Sequence, residues 1–414
     1  MSVITSVKGR LVFNSRGSKS VEIDVITDNQ FIGRASSPSG ASVGSHEVVS
    51  FAKNDPELSL KLFNSYSRKF IGLDAKDPKT IFDVLRSIDT TETYEKIGGA
   101  VAYSLSIAAI EAASKSENLP MFRLLNPNGP YQFPFPLGNV LGGGAHAGPG
   151  TPDIQEILVC PLGANSIFNA LEMNFKIHGE VKKAIERVDK KFTYGRGDEG
   201  AWAPSLNNDQ ALTLVADAID KAGLRLGKDI ALGIDFAASS LWDKTGKTYN
   251  YRRQGISRTA EEQIQFVLEL IKKYDLVYVE DPLHEDDFEG IAKVTKTAEC
   301  IVAGDDMLVT SAKRLEIAAA SGACNGAILK VNQAGSLYEA LNFSRECKAR
   351  RMSIITSHRS GESIDPHISH IAIATSSKMI KTGILGGERI AKLNELVRLS
   401  EYGLIEGLAE LSNT

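Results

Sequence analysis

Acidic residues end three apolar, strand-like runs in the second half of the chain. Asp235 closes IALGID, Glu280 closes LVYVE and Asp305 closes CIVAGD. An unpaired charge at the mouth of a hydrophobic sheet is costly, so each carboxylate needs a partner. A lone strand-end acid more often caps a helix or faces solvent. Three together supply oxygen ligands that suit a hard, octahedral ion such as magnesium rather than zinc.

Basic residues end the next three apolar runs. Lys330 closes GAILK, His358 closes SIITSH and is followed by Arg359 and Ser360, and Lys381 closes MIK. A lone lysine at a strand end usually packs its aliphatic stem on the protein and keeps its ammonium in water. Beside a metal cluster, Lys330 becomes a candidate base. The other histidines are interpreted as having no catalytic role, except His146, which is considered below: His46, His178, His284, His367 and His370.

The spacing of these run ends predicts the elements that position them. After a first interval of 45 residues, the ends recur every 23 to 28 residues, enough for one strand, one helix and two loops. Helical patterns fill four of the intervals, at 260–274, 311–322, 336–351 and 366–377. Serial βα units predict a parallel sheet closed into a β/α barrel, whose C-terminal strand ends share one face. The acids and bases would meet there.

A proline- and glycine-rich stretch separates this barrel from the first part of the chain. Six of the fourteen prolines lie between residues 127 and 152. Upstream, VEIDVI and FIGRASS are typical of short strands, and 99–114 is typical of a closely packed, small-residue helix. We therefore predict an α/β protein with two domains, an N-terminal α+β capping domain at 1–132 and a C-terminal barrel at 133–414.

Composition excludes several classes of protein. The net charge is −4 over 414 residues, and no run of Lys and Arg with interleaved aromatics predicts nucleic-acid binding. No stretch approaches the roughly 18 apolar residues of a membrane helix, and no signal segment is evident. Four scattered cysteines without CxxC spacing are typical of buried thiols. A cytoplasmic protein with no membrane or nucleic-acid partner is expected.

Nine short segments have the order and spacing found in the enolases. They are PSGASVGSHE, GGAHAG, DIQE, GDEG, VEDP, GDD, LKVNQ, SHRSGE and IKTG. They cover nearly the whole chain and include charged residues that a fold alone would not require. The chain therefore resembles the enolase family. The resemblance implies an enolase-type β/α barrel and the reversible dehydration of 2-phosphoglycerate to phosphoenolpyruvate in glycolysis and gluconeogenesis.

The resemblance also implies metal ligands and a base. It assigns two Mg²⁺ ions to the active site: Asp235, Glu280 and Asp305 hold the first, and Ser39 helps to bind the second once substrate arrives. Lys330 matches the base that removes the C2 proton. A lysine must be neutral for this, and we expect neighbouring cations and partial burial to lower its pKa. A homodimer or higher homo-oligomer is implied as well.

The resemblance further implies an acid and substrate contacts. Glu199 matches the acid that protonates the departing C3 hydroxyl, with Glu156 as its partner carboxylate. Because a close acid pair can hold one proton above the usual pKa, we expect a protonated acid at neutral pH. Arg359 suits the phosphate and Lys381 the substrate carboxylate. The matching substrate contacts are His146, Gln155, Glu156, His358, Arg359, Ser360 and Lys381.

Three departures from the family pattern lie mostly outside these residues. Asn14 begins NSRGSK where the family has an aspartate, Ala201 follows GDEG in place of glycine, and Ser240 ends AASS in place of glutamate. The loops at 37–44, 142–152 and 237–250 are rich in Gly, Ser, Ala or Pro and are expected to move on substrate binding.

Two other functions remain open from the sequence. A racemase or cycloisomerase of the same superfamily would share the barrel and the metal carboxylates, but it usually has a K-x-K base motif where this chain has FTYGRGDEG. A non-catalytic binding or structural homologue would share the fold. The retained acids and bases favour an active enolase.

Overall fold

The computed structural model describes residues 1–40 and 46–411. The chain begins with an antiparallel sheet of three strands in sequential order, β1 (Ile4–Phe13), β2 (Lys19–Thr27) and β3 (Ile32–Ser36). Four α-helices follow in the described residues, α1 (Pro56–Tyr66), α2 (Pro78–Ile88), α3 (Gly99–Glu117) and α4 (Met121–Leu125). In both α1 and α2 the first residue is a proline that follows an aspartate. The aspartate side chain accepts hydrogen bonds from backbone N–H groups of the first turn, which stabilises the start of the helix.

Helix α3 packs closely on the sheet, as its small residues predict. Fourteen of its residues are buried. At Gly33 in β3 a Cβ atom would lie 1.9 Å from the carbonyl oxygen of Ala108, so only glycine allows this approach. The helix predicted at 99–114 and the two short strands are confirmed. They form one layer of sheet covered by helix.

The described residues after α4 contain eleven more strands. In chain order they are β4 (Phe135–Gly142), β5 (Glu156–Cys160), β6 (Ala231–Asp235), β7 (Trp242–Asp243), β8 (Thr248–Tyr251), β9 (Ile256–Arg258), β10 (Tyr278–Glu280), β11 (Ile301–Gly304), β12 (Gly326–Leu329), β13 (Ser353–Ser357) and β14 (Met379–Lys381). Eight of them close into a barrel in the order β4-β5-β6-β10-β11-β12-β13-β14, and β7-β8-β9 form a separate small sheet. The predicted closed β/α barrel is confirmed.

The expectation of a wholly parallel sheet is wrong for one strand. β5 runs antiparallel to both β4 and β6. The connection 143–155 contains only the one-turn helix α5 (Gly144–Ala147), whereas a parallel crossover usually needs a full helix. The chain therefore turns back at the catalytic end of the barrel. Glu156, the first residue of β5, lies beside Gly142, the last residue of β4.

Nine further α-helices lie between or after these strands in the described residues. They are α6 (Ile167–Val188), α7 (Asn208–Lys221), α8 (Ala260–Tyr274), α9 (Phe288–Thr297), α10 (Ala312–Ser321), α11 (Val331–Ala334), α12 (Leu337–Ala349), α13 (His367–Ala374) and α14 (Gly387–Ser400). The four predicted helices correspond to α8, α10, α12 and α13. No helix in the described part of the chain is long and apolar enough to cross a membrane.

Apolar side chains fill the barrel interior. Those that pack together there include Leu137, Leu158, Tyr278, Ile328 and Ile355. The interior is therefore a core rather than a pore, as is usual for an eight-stranded barrel. Asp235, Glu280 and Lys381 end their strands at the rim above this core.

Candidate active site

The strand register aligns the predicted acids along the barrel rim. Glu156 pairs with Asp235, and Asp235 pairs with Glu280. Glu280 in turn pairs with Ala303, two residues before Asp305. The reversed direction of β5 thus brings its first residue to the end where the parallel strands finish. Four carboxylates meet on adjacent strands.

The ammonium group of Lys381 lies among three of these carboxylates. Its Nζ is 2.5 Å from Glu280 Oε2, 3.0 Å from Glu156 Oε2 and 3.3 Å from Asp235 Oδ2. Burial alone would lower the pKa of Lys381, but Glu156, Glu280 and Asp235 raise it well above its usual value. Lys381 is therefore held as a cation at the centre of the acidic site.

More carboxylates surround Lys381 than its one positive charge can balance. Burial, together with the charge of Asp235, raises the pKa of Glu280 to about 8. Burial also raises the pKa of Asp235. The hydroxyl of Tyr278 donates to Glu280 Oε2 at 2.5 Å, but Glu280 Oε1 is buried and accepts no hydrogen bond from the residues that the structure describes. A free, buried carboxylate oxygen in an all-oxygen donor set fits magnesium.

A second acidic group lies beside the first. One carboxylate oxygen from each of Asp281, Asp305 and Asp306 lies within 4.8 Å of the others. Burial and neighbouring acids raise the pKa of Asp306 to about 7, and that of Asp281 well above its usual value. The Asp281 carboxylate accepts from the backbone N–H of Asp305 at 3.0 Å and of Asp306 at 2.8 Å. Asp281 and Asp306 were not predicted as site residues, although both lie inside the quoted VEDP and GDD segments.

The expected lowering of the Lys330 pKa is wrong for this structure. Lys330 forms an ion pair with Asp305. Burial is the largest influence and lowers the pKa of Lys330, but Asp305 and Glu280 both raise it and the net shift is upward. Arg359 and Lys381 do oppose the protonated form, as predicted, but they are not the dominant neighbours.

Glu199 and Glu156 form the predicted acid pair around His146. One ligand atom from each of the three lies within 4.8 Å of the others. His146 Nδ1 is 3.2 Å from Glu156 Oε1 and 3.5 Å from Glu199 Oε1. Burial disfavours a charged imidazole, but the two carboxylates raise the pKa of His146 to about 9. His146 therefore lies between the acids as a cation.

The expected raised pKa of the acid is wrong for Glu199. Burial disfavours its charge, but His358 and His146 lower the pKa of Glu199 well below its usual value. His358 Nε2 is 3.1 Å from Glu199 Oε1, and Asn139 Nδ2 donates to Glu199 Oε2 at 2.9 Å. The acid pair is thus surrounded by donors and cations, which the sequence argument did not take into account.

A glycine turn fixes the direction of Glu199. Gly200 has φ +83°, and a Cβ atom there would lie 2.3 Å from the carbonyl oxygen of Leu385. The carbonyl of Glu199 accepts from the N–H of Ile384 at 2.9 Å. The imidazole of His178 contacts the Gly200 carbonyl at 2.9 Å and stacks on Trp202, so it supports this turn. Ala201, a departure from the family pattern, is accommodated as a buried residue beside the turn.

Arg359 is paired across the two parts of the chain. Its guanidinium donates to Glu47 at 2.9 and 3.1 Å, and both side chains are buried. Ser360 lies next to it on the pocket wall. Glu47 was part of a quoted segment but was not predicted to have a role.

Ser39 lies beside the pocket rather than on its lining. It forms a two-way backbone bridge with Gly361, and its hydroxyl accepts from Asn14 Nδ2 at 2.8 Å. The Asn14 side chain also accepts from the N–H groups of Arg16 and Ser18, so this departure from the family pattern retains a hydrogen-bonded turn. Residues 41–44 of the loop predicted to move lie outside the described residues.

One pocket collects eleven of the thirteen predicted site residues. Ser39 and Glu280 are absent from its lining, although Glu280 contacts Lys381 from below. The eleven are His146, Gln155, Glu156, Glu199, Asp235, Asp305, Lys330, His358, Arg359, Ser360 and Lys381. The Gln155 amide donates to Asp235 at 3.3 Å. The residues identified from the sequence therefore converge on one site.

Helix α14 contributes two buried cations that the sequence did not predict. Lys392 contacts Glu362 at 3.0 Å, and Glu362 accepts from the backbone N–H of Arg359. Arg389 is fully buried and contacts His358. The only signal was a GERIAK segment whose charges are equally typical of a solvent-exposed helix.

Comparison with known proteins finds similar sequences over nearly the whole chain. Residues 4–125 match the family model described as enolase, N-terminal domain, and residues 130–407 match enolase, C-terminal TIM barrel domain. A protein named enolase from Methanosphaera stadtmanae is 44% identical over 99% of this chain and all of its own length. Enolases from Methanothermobacter thermautotrophicus, at 43% over 99% of both chains, and Pyrobaculum aerophilum, at 40% over 95% of both, are also similar.

Proposed function

We infer that this chain, which belongs to the enolase family, is a phosphopyruvate hydratase that interconverts 2-phosphoglycerate and phosphoenolpyruvate. The observation that best supports this function is that two different proton-transfer groups line the same pocket as the cluster of carboxylates. Lys330 lies with Asp305, and Glu199 lies with His146 and His358. Dehydration needs one group to remove a proton from carbon and another to protonate the leaving hydroxyl.

We propose that Asp235, Glu280 and Asp305 hold one Mg²⁺, and that Ser39 contributes to a second site when substrate is bound. Support comes from the free oxygen of Glu280 and the raised pKa values of Asp235 and Glu280, because a bound cation would relieve both. Bound magnesium would stabilise the second negative charge that develops on the substrate carboxylate.

We propose Lys330 as the base at C2. Its ammonium is stabilised by Asp305, so the lysine must first give up that proton. If Asp305 also binds Mg²⁺, its carboxylate stabilises the ammonium of Lys330 less. The charges of Arg359 and Lys381 then lower the pKa of Lys330 further. Lys330 would take the C2 proton as a neutral amine.

We propose Glu199 as the group that handles the C3 hydroxyl. Its ionised state fits the reverse reaction, in which it removes a proton from the water that adds to C3. The same group must donate that proton in the forward direction, because both directions share one transition state. His146, Glu156 and His358 surround Glu199 and would hold the proton within the site.

The substrate's charged groups would be bound by the remaining cations. Arg359 offers a planar fork for phosphate beside Ser360, provided that it exchanges its contact with Glu47. Lys381 would contact the substrate carboxylate, and His146 and Gln155 would complete the pocket. We also propose a homodimer or higher homo-oligomer in the cytoplasm, where the four buried, free cysteines are compatible with a reducing environment.

The function is tested by the appearance of phosphoenolpyruvate absorbance from 2-phosphoglycerate with magnesium. We expect turnover that a chelator abolishes. No turnover by a folded, magnesium-replete sample would contradict the function. A racemase is not favoured, because the similar full-length relatives are named enolase, and a non-catalytic homologue is not favoured, because the acids and bases of the site converge.

Two variants separate the proton transfers. Glu199→Gln should lose dehydration but keep some exchange of the C2 proton with heavy water, because Lys330 remains. Lys330→Ala should lose both. Lys313→Ala is a matched control, since that lysine pairs with Glu92 on the surface. Substantial C2 exchange by folded, magnesium-bound Lys330→Ala would show that another group is the base.

A further inference from the structure

Arg389 lies under the active site and donates to four acceptors. Its side chain is fully buried. Nη1 lies 2.6 Å from His358 Nδ1 and 2.6 Å from the Arg359 carbonyl, and Nη2 lies 2.6 Å from the Ser360 carbonyl and 3.0 Å from the Asp198 carbonyl. Glu388 approaches Nε at 3.4 Å and balances part of the charge. The geometry indicates a specific role rather than general packing.

The contact with His358 determines which imidazole nitrogen carries the proton. Arginine has only donors and stays protonated in proteins, so His358 Nδ1 must accept. The proton of a neutral imidazole is then on Nε2, which lies 3.1 Å from Glu199 Oε1. Burial lowers the pKa of His358, which agrees with a neutral ring. The N–H of His358 therefore donates to the Glu199 carboxylate.

The other three contacts of Arg389 join two loops. One loop carries the proton-transfer residue Glu199, and the other carries the residues proposed to bind phosphate. The Asp198 carbonyl belongs to the residue before Glu199, and the Arg359 and Ser360 carbonyls follow His358. One guanidinium thus fixes the distance between Glu199 and His358. A lysine could not reproduce this arrangement, because its three donors lie on one nitrogen, whereas Arg389 reaches four acceptors from two nitrogens.

We propose that Arg389 is a positioning residue that holds His358 in the Nε2-protonated tautomer and directs its N–H at Glu199. The proposal rests on the proposed function, in which Glu199 acts at C3. It predicts a selective defect. Loss of Arg389 should impair the step at C3 more than proton removal at C2, because its hydrogen bonds go to His358 and to the loops beside Glu199 and His358, whereas Lys330 is paired with Asp305.

The first test is the tautomer in the wild-type protein. Nitrogen NMR of protein labelled with ¹⁵N-histidine should show His358 neutral, with Nε2 protonated and Nδ1 unprotonated. Its signals are assigned by their loss in His358→Gln. A wild-type His358 protonated on Nδ1 overturns the proposal without any Arg389 variant, and the result does not depend on turnover of 2-phosphoglycerate.

The second test compares Arg389→Met with Arg398→Met. Arg398 lies on the same helix and is exposed, with Glu395 as its partner. We expect Arg389→Met to lower the kcat of dehydration about 10–100-fold, a range typical of losing a group that orients a functional histidine. C2 exchange should fall less, KM should change little, and His358 should gain Nδ1 protonation. Arg398→Met should match the wild type.

Two results would overturn the proposal. One is unchanged Nε2 protonation of His358 in folded Arg389→Met, and the other is an equal fall in dehydration and C2 exchange. If Arg389→Met does not fold, Arg389→Lys answers the same question, because it keeps the charge but cannot reach all four acceptors. Failure of the wild type to turn over 2-phosphoglycerate would instead refute the proposed function.

Discussion

Replacing Lys381 by Met should strongly destabilise the metal-free protein. The ammonium lies within 3.3 Å of Glu280, Glu156 and Asp235, and the side chains of all four residues are at most 5% exposed. Removing one partner of a buried ion pair typically costs about 3–5 kcal/mol, because the other charge is left uncompensated. We expect a loss of about that size in the free energy of unfolding at pH 8 with a chelator present.

The loss should depend on pH with a defined sign. Burial and Asp235 raise the pKa of Glu280 to about 8 from a usual 4.5, so the folded state holds a proton that the unfolded state has released. Stability therefore falls as pH rises through that window, by up to about 1.4 kcal/mol per pH unit for one proton. Without Lys381 the carboxylates would hold protons more strongly. The variant should thus lose little at pH 5.5 and most at pH 8.

Urea unfolding followed by circular dichroism measures this loss at the two pH values. Magnesium should restore part of the stability at pH 8, because it would neutralise the same carboxylates. Lys313→Met, which removes an exposed surface cation, should show neither effect. A Lys381→Met protein as stable as the wild type at pH 8 in chelator, or an equal loss at both pH values with and without magnesium, would refute the reasoning.

Three further predictions concern the metal sites and the loops. Asp305→Asn should weaken magnesium binding in calorimetric titration while leaving the fold intact, and unchanged affinity would remove Asp305 from the ligand set. Ser39→Ala should weaken the substrate-dependent magnesium site more than the other, whereas equal weakening would contradict that division. Residues 142–152 should exchange their amide hydrogens faster without substrate than the barrel strands do; equal protection would count against a closing loop.

The strand ends could be predicted from sequence because each apolar run changes abruptly to a charged residue. Asp235, Glu280 and Lys381 are the last residues of their strands, and Asp305 and Lys330 follow theirs directly. Helix α8 was equally readable, since the side chains of Thr259 and Glu262 form a capping box at its start.

The direction of β5 could not be predicted, because an apolar strand has the same pattern in either direction. DIQE was quoted for its chemistry, and its glutamate proves to begin a strand rather than end one. The roles of Glu47, Arg389 and Lys392 were missed for a related reason. Their partners are far away in sequence, and a charge on a helix or loop carries no sign of being buried.

The pKa expectations failed because each left out neighbours of the opposite sign. Lys330 was considered with the cations around it, but Asp305 is closer and has the opposite effect. Glu199 was considered with Glu156, but two histidines outweigh that acid. The sequence can identify the residues of such a cluster. The direction of each pKa shift depends on which charges lie closest, and only the folded structure shows that.

The reversed β5 also bears on how the barrel folds. The loop 143–155 brings Gly142 against Glu156, and such a short closure takes well under a microsecond and costs little chain entropy. The seam between β14 and β4 instead joins Lys381 to Leu137, and a contact between such distant residues forms late. Glu156 can therefore meet Asp235 before Lys381 arrives. During that interval Glu156 and Asp235 lack the ammonium of Lys381. A cation from solution that neutralises them then would speed the pairing of β14 with β4.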